Sequence, residues 1–302
     1  MSRVSINDIK SDDKIIAIMG PTGAGKSTFI DTAMRQGGRA GHTLKSYTAN
    51  VEAVRYNDGK DTIVFVDTPG FDDTTRSDTD ILKLIANWLE KTYKKHVLLT
   101  GIIYVHRITD NRMSGSPLKN LHMFGSLCGE AASPNVILIT TMWSDKVPAD
   151  VGGRREAELV DKFWKPMLDL GSAHMRFMGS YESAWEIVRA VIARAEARPV
   201  LLQQELVDLH KVLRETEAGK TLYGELLRLL EEQKRVAQQL REVSKQNQNN
   251  PALQAELDNQ FKQIDGLLNT TLIQIQEMKI PFVSRLKSFF SGKKAATHPV
   301  RV

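Results

Sequence analysis

Gly20-Pro21-Thr22-Gly23-Ala24-Gly25-Lys26-Ser27, set directly behind the apolar run Ile15-Ile16-Ala17-Ile18-Met19, fills every position of the pattern G-x-x-x-x-G-K-[ST]. The glycines let backbone amides wrap closely around phosphate oxygens, and the dipole of the helix that follows adds to the same anion site. Lys26 supplies a point charge to β- and γ-phosphates, and the Ser27 hydroxyl is the candidate Mg2+ ligand. A strand before the loop and the helical run Ser27-Thr28-Phe29-Ile30 behind it are the context this pattern requires. The chain is therefore expected to bind a nucleoside triphosphate through Gly20, Thr22, Gly23, Ala24, Gly25, Lys26, Ser27 and Thr28.

A second motif, Asp67-Thr68-Pro69-Gly70, closes another apolar run, Thr62-Ile63-Val64-Phe65-Val66. Its order and position fit a strand-end carboxylate, Asp67, that holds Mg2+, and a Gly70 amide that senses the γ-phosphate. Open α/β sheets bind ligands beyond the carboxyl ends of their strands, which is where both motifs fall. Between them, the polar stretch Gly41-His42-Thr43-Leu44-Lys45-Ser46-Tyr47-Thr48 reads as a first switch loop. Thr48 is its candidate ligand for Mg2+ and γ-phosphate, with Thr43 and Ser46 as competitors.

The P-loop, the switch threonine and Asp67-Thr68-Pro69-Gly70-Phe71-Asp72-Asp73 resemble the septin-related GTPases, which include septins, chloroplast-import receptor GTPases and immunity-associated GTPases. The resemblance covers about the first two thirds of the chain. It implies GTP or GDP with Mg2+, roles for Lys26, Ser27, Thr48, Asp67 and Gly70, and pairing of two GTPase domains across the nucleotide face. Tyr104-Val105-His106-Arg107-Ile108-Thr109-Asp110 also resembles the R-x-T box of immunity-associated members, pointing to Arg107 and Thr109. The family reads guanine with T-K-x-D or N-K-x-D, but here Thr140-Thr141-Met142-Trp143-Ser144-Asp145 lacks the lysine. With Thr141 first, Ser144 replaces the base-pairing aspartate; with a loop one residue longer, Asp145 pairs with the base. Trp143 then either covers the base or belongs to the core. Ser180, in Gly179-Ser180-Tyr181, occupies the usual position of the loop that backs the base. Guanine specificity thus follows from the resemblance, not from these residues.

Strands alternating with helical patterns predict a doubly wound, mostly parallel sheet, followed by an α-helical coiled-coil or helical-hairpin appendage. The pattern divides into a nucleotide-binding domain over 1–198, a helical region over 199–280 and a basic amphipathic tail over 281–302. Asn57-Asp58-Gly59 predicts a tight hairpin turn that adds an antiparallel edge strand. A helix is predicted over 156–170. In the helical region, Leu222, Leu226, Leu229, Gln233, Val236, Leu240 and Val243 follow a/d steps, and Leu257, Phe261, Ile264, Leu268, Thr271, Ile275 and Met278 form a second seam. The short break Asn247-Gln248-Asn249-Asn250-Pro251 favours an intramolecular antiparallel hairpin, while intermolecular coiled coils and packing on the first domain stay open.

The net charge is +5, and the basic residues of the tail after Pro281 account for as much as the whole. There, Phe282, Val283, Leu286, Phe289 and Phe290 share one helical face, beside Arg285 and Lys287. That composition suits an anionic membrane surface or a groove on the protein itself. Cations are otherwise mixed with acids along the chain, which argues against nucleic acid as a partner. Cys128 is the single cysteine, excluding an intrachain disulfide, and no charged-then-apolar leader precedes the P-loop, so a cytoplasmic setting with at most peripheral membrane contact is expected.

Phe71 stands where many GTPases carry the glutamine that orients the attacking water. Slow intrinsic hydrolysis is expected, with compensation from His42, Arg39, Arg107 or Arg112, in the same chain or from a second copy. An ATP-using P-loop protein, or a nucleotide-locked scaffold without useful turnover, are the competing functions.

Overall fold

The structure, a computed structural model, describes residues 2–10, 12–35, 50–73, 76–113, 115–143, 147–196, 198–247 and 251–279. Its strands are β1 (Ser2–Arg3), β2 (Lys14–Met19), β3 (Glu52–Asn57), β4 (Thr62–Asp67), β5 (Gly101–Arg107), β6 (Val136–Thr141) and β7 (Ala173–Arg176). They form one 7-stranded sheet in the order β1-β3-β4-β2-β5-β6-β7. β4, β2, β5, β6 and β7 run parallel, whereas β3 is antiparallel to both β4 and β1. The expected antiparallel strand is present, but the short β1 covers its outer edge. Its turn is also longer than the tight hairpin expected from Asp58-Gly59. Asn57 pairs with Thr62, and the Asp58 carboxylate accepts from the Lys60 and Asp61 amides, so the side chain closes the wider loop.

Helices α1 (Lys26–Ala33), α2 (Asp78–Tyr93), α3 (Ser116–Cys128), α4 (Ala149–Glu158), α5 (Lys165–Asp169) and α6 (Tyr181–Ala193) connect the strands. The central strands are apolar on both faces because helices cover both. Ile16, Ile18, Ile103, Val105, Ile137 and Ile139 meet α1 and α6 through Phe29, Ile30, Trp185 and Val188. On the opposite face Tyr104 stacks at 4.6 Å on Phe124 of α3. Ser77 starts α2 by accepting from the Asp80 amide, with Asp78 and Asp80 in the positive first turn. The helix expected over 156–170 begins earlier, at Ala149, and is interrupted by a π-helical turn, Leu159–Phe163.

One compact unit runs to Lys211 and includes Thr216–Leu222; a second comprises Val212–Glu215 and the described residues from Tyr223 onward. A helical turn α7 (Leu201–Gln203) leads in the first unit to a further π-turn, Gln204–Asp208. From that turn the buried Glu205 carboxylate accepts from Lys211 and from the Glu217 amide. Helices α8 (Glu217–Gln246) and α9 (Pro251–Lys279) follow. Gln254 donates back to the Ser244 and Asn247 carbonyls, and α9 returns to the short turn Leu213–Glu215 that precedes α8, so the two helices of this unit reverse direction.

The second seam faces inward as spaced, with Leu257, Thr271, Ile275 and Met278 buried. The first does so only in part: Leu222, Leu226 and Gln233 are buried and Leu240 is half-buried, whereas Leu229, Val236 and Val243 are 37 to 40% exposed, and the contact stripe runs instead through Leu230, Ala237 and Ser244. The apolar arc of α8 is wider than its contact face, and packing selects the flank where Ala237 and Ser244 are small. Leu230→Ala is therefore expected to cost about 2–5 kcal/mol and Leu229→Ala about 0.5 kcal/mol or less. Urea denaturation followed by the helical signal checks this; equal losses would restore the heptad assignment.

Candidate functional site

β2 delivers the chain to Gly20, whose φ is +139° and where a Cβ would lie 2.3 Å from the Val105 carbonyl oxygen of β5. Only glycine fits that approach. The loop then turns through Gly23 and Gly25, both at positive φ, and Gly25 caps α1 without a side chain, an arrangement that suits an anion at a helix N-terminus. Thr141 at the end of β6 donates its hydroxyl to the Ala24 carbonyl at 2.8 Å, tying the loop to the neighbouring strand.

Lys26 is buried, and its ammonium donates to the Gly20 and Pro21 carbonyls at 3.0 and 2.9 Å. Burial pushes its pKa down to about 8, against the opposing pull of Asp67 and Asp73 and with a smaller push in the same direction from Arg107. The Ser27 hydroxyl meets Asp67 at 2.7 Å. The structure thus brings together, from the start of α1 and the end of β4, an ammonium, a hydroxyl and a carboxylate. These hard oxygen donors beside a phosphate loop fit Mg2+.

The segment after β4 folds onto the loop. Thr22 donates its amide to the Phe71 carbonyl at 3.3 Å and its hydroxyl to the Gly70 carbonyl at 3.2 Å. A Cβ on Gly70 would lie 2.4 Å from the Thr22 nitrogen and 2.8 Å from Lys26 Nζ, so glycine is required there as well. Thr68 anchors this segment to the Ile18 carbonyl at 2.8 Å. Phe71 is buried, with no polar side-chain atom to offer a water. From the end of β5, Arg107 reaches towards Gly23, its Nη1 3.4 Å from where a Cβ would stand, while its Nε pairs with Asp110 at 3.0 Å. Arg112 is exposed, and Thr109 donates weakly to the Met142 sulfur at 3.6 Å.

On the side of β6, Trp143 donates its indole N–H to Thr140 at 3.0 Å, and the Arg176 guanidinium lies 4.3 Å from its ring centre. Arg176 is itself held by Glu156 at 2.8 Å, and the Trp143 ring edge lies against Gly152, where a Cβ would come within 2.7 Å. Ser180 caps α6 by accepting from the Ser183 amide. Arg39, His42, Thr43, Ser46, Thr48, Ser144, Asp145 and the tail from 281 onward lie outside the described residues. Sequence reasoning passed over the tie from Thr141 to the loop, which carries no local signal, and the burial of His106 on β5. Burial, reinforced by Arg107, pushes the His106 pKa down to about 4, with Asp110 acting the other way.

The sequence profile of the 50S ribosome-binding GTPase family matches residues 15–141, which hold all of this described phosphate-loop machinery and amount to less than half of the chain. No curated protein matches the chain in sequence. Among solved structures, Toc33 from Arabidopsis thaliana in complex with GDP and Mg2+ is similar at 16% identity and a TM-score of 0.50, over 63% of this chain and 86% of that one. A dimerization-deficient mutant of the same protein gives the same values. The chloroplast translocon structure of atToc33 and psToc159, for which dimerization is important for GTPase activity, reaches 0.51 at 16% identity, over 62% of this chain and 84% of that one. The shared fold is that of a P-loop GTPase domain, here followed by a helical region.

A His106 that stays neutral in the fold down to about pH 4 is protonated in the unfolded chain below about 6.5. Stability is therefore intact above that upper value and falls as pH drops through the window between them. His106→Asn should lose less stability than the wild type between about pH 7.5 and pH 5, read from urea midpoints. Identical losses would show that His106 does not contribute.

Proposed function

We propose that the chain is a guanine-nucleotide-binding, Mg2+-dependent GTPase, slow on its own, that acts as a switch or scaffold and is accelerated by pairing of two nucleotide domains. The observation that carries this is the buried Lys26 ammonium, held by the Gly20 and Pro21 carbonyls of the glycine loop, with Ser27 and Asp67 adjacent. Lys26 would neutralise the β- and γ-phosphates while the loop amides orient them. Ser27 and Asp67, with Thr48 from the first switch, would hold Mg2+, which when bound stabilises charge on the phosphate oxygens. Gly70 would carry the presence of a γ-phosphate to the segment that follows β4, because its carbonyl and that of Phe71 are held by Thr22.

Phe71 supports slow turnover, since nothing at that position orients water. Arg107, whose Nη1 reaches towards Gly23, is the candidate nearest the loop among the described residues, with His42, Arg39 and Arg112 as the others. An arginine supplied by a second copy raises such rates by about 10³ to 10⁵. Pairing is supported by analogy with the Toc33 structures, one of which is a dimerization-deficient mutant. Asp145 is the proposed guanine reader and Ser180 the residue backing the base. Trp143, with its N–H held by Thr140 and its ring beside Arg176, would meet the base only by its remaining edge. The apolar and basic tail supports contact with an anionic membrane surface, and with it a cytoplasmic, peripherally bound placement. Among the described residues no helix is long and apolar enough to cross a membrane.

Lys26→Ala should weaken Mg2+-GTP binding by roughly 10- to 150-fold, the loss of about 1.5–3 kcal/mol of charge-assisted contact. Titration calorimetry with GTP and ATP in parallel checks this. Equal binding of ATP would make the protein an ATP-using P-loop protein, and tight GTP binding without any turnover would make it a nucleotide-locked scaffold. Asp145→Asn should move the preference from guanine towards xanthine, and an unchanged preference would remove Asp145 from the base site.

A further inference from the structure

Side chains alternate along β5, so that Ile103 and Val105 face α1 and α6, while Tyr104 and His106 face the other side of the sheet. On that other side a cavity of about 290 Å³ opens between the end of β5, the segment 108–113 and the π-turn Leu159–Phe163. Its apolar walls include Ile108, Met113, Leu159 and Phe163. Two of its lining residues, His106 and Asp110, each carry a buried polar atom, Nδ1 and Oδ2, without a hydrogen-bond partner. Trp164, fully buried and edge-on to His106 with ring centres 6.2 Å apart, leaves its indole N–H unpartnered too. Buried polar atoms are nearly always satisfied, so a cluster of orphans around one cavity marks a place built for something that supplies the missing bonds. A π-turn in a helix wall is a second mark of the same kind, because such insertions concentrate at functional sites.

We propose that this cavity is a second ligand site, for a small, planar, uncharged molecule that carries an N–H donor beside a carbonyl or ring-nitrogen acceptor, a primary carboxamide or amino-heteroaromatic. The chemistry of the lining selects that class. Arg107 occupies Oδ1 of Asp110, which leaves Oδ2 as the acceptor for a ligand N–H. His106 is the group that completes the other half of the pair. The flat Phe163 ring and the flexible Met113 suit a planar ring. At the rim the acids Asp110 and Glu158 stand against Arg112 and Arg155, so a charged ligand gains no net attraction. Arg155 in addition holds the wall in place by donating to the Ile108 carbonyl at 2.9 Å. The volume is at the small end of ligand pockets, which limits the occupant to about one substituted ring. Because Asp110 is also the partner of Arg107, an occupant of the cavity acts on the carboxylate that holds the arginine nearest the phosphate loop.

Nicotinamide is the probe, titrated into the full chain without nucleotide while the indole N–H resonances of the tryptophans are followed. The Trp164 resonance, identified by its loss in Trp164→Phe, should move saturably while that of Trp143 stays still. Asp110→Asn should weaken binding about tenfold, the loss of one hydrogen bond of ordinary strength, and Leu159→Trp should abolish it by filling the cavity. The unmoved resonances report that each variant is folded. No movement of the Trp164 resonance, or binding unchanged in both folded variants, would overturn the proposal and leave the cavity to water.

Discussion

A buried ammonium is the constraint on which this structure turns. Lys26 sits in surroundings that favour its neutral form, held by two backbone carbonyls and within the field of Asp67 and Asp73. Removing a cation from water costs several kcal/mol unless it is paired. Two carbonyls and two nearby acids meet part of that cost, and a polyphosphate would meet the rest. The neighbouring geometry serves the same end: Gly20 allows the loop to pass against β5, Gly25 caps α1 without a side chain, and Thr141 fixes Ala24 from β6.

The same loop is a mechanical junction. Through Thr22 it holds the carbonyls of Gly70 and Phe71, and Arg107 extends from β5 towards Gly23. The contact with the segment after β4 is made of hydrogen bonds, whereas Arg107 only approaches Gly23 and is held on its other side by the ion pair with Asp110, at the cavity beneath the π-turn.

Elements governed by local backbone rules were legible in the sequence. The phosphate loop follows from its glycines, and the start of α9 from Pro251 at its first turn. What depended on tertiary choice was not. The apolar arc of α8 allowed two flanks: the heptad count rightly placed Leu222, Leu226 and Gln233 inward but added Leu229, Val236 and Val243, whereas packing buries Leu230 and half-buries Ala237. The hairpin after β3 widened because Asp58 bonds amides of the loop itself, which competes with the tight turn that Asp-Gly favours. At the site, Lys26, Ser27 and Asp67 were visible as motif positions, but the bond from Thr141 to Ala24 spans most of the domain and leaves no pattern. Trp143 was open between base and core because one tryptophan at a strand end carries no periodicity, and its contacts with Thr140, Gly152 and Arg176 arise from elements distant in sequence.

The charge state of Lys26 gives the most direct test. With its pKa near 8 before nucleotide arrives, part of the population is neutral in mildly alkaline solution, and a bound triphosphate restores the proton. Titration calorimetry of the magnesium complex of a non-hydrolysable GTP analogue, at about pH 8.5 and in buffers of different ionisation enthalpy, reads that proton as a buffer-dependent heat. Uptake of a substantial fraction of one proton is expected at that pH, vanishing on acidification to about pH 6.5. Absence of binding, or binding whose heat is the same in every buffer at the alkaline pH, would contradict it.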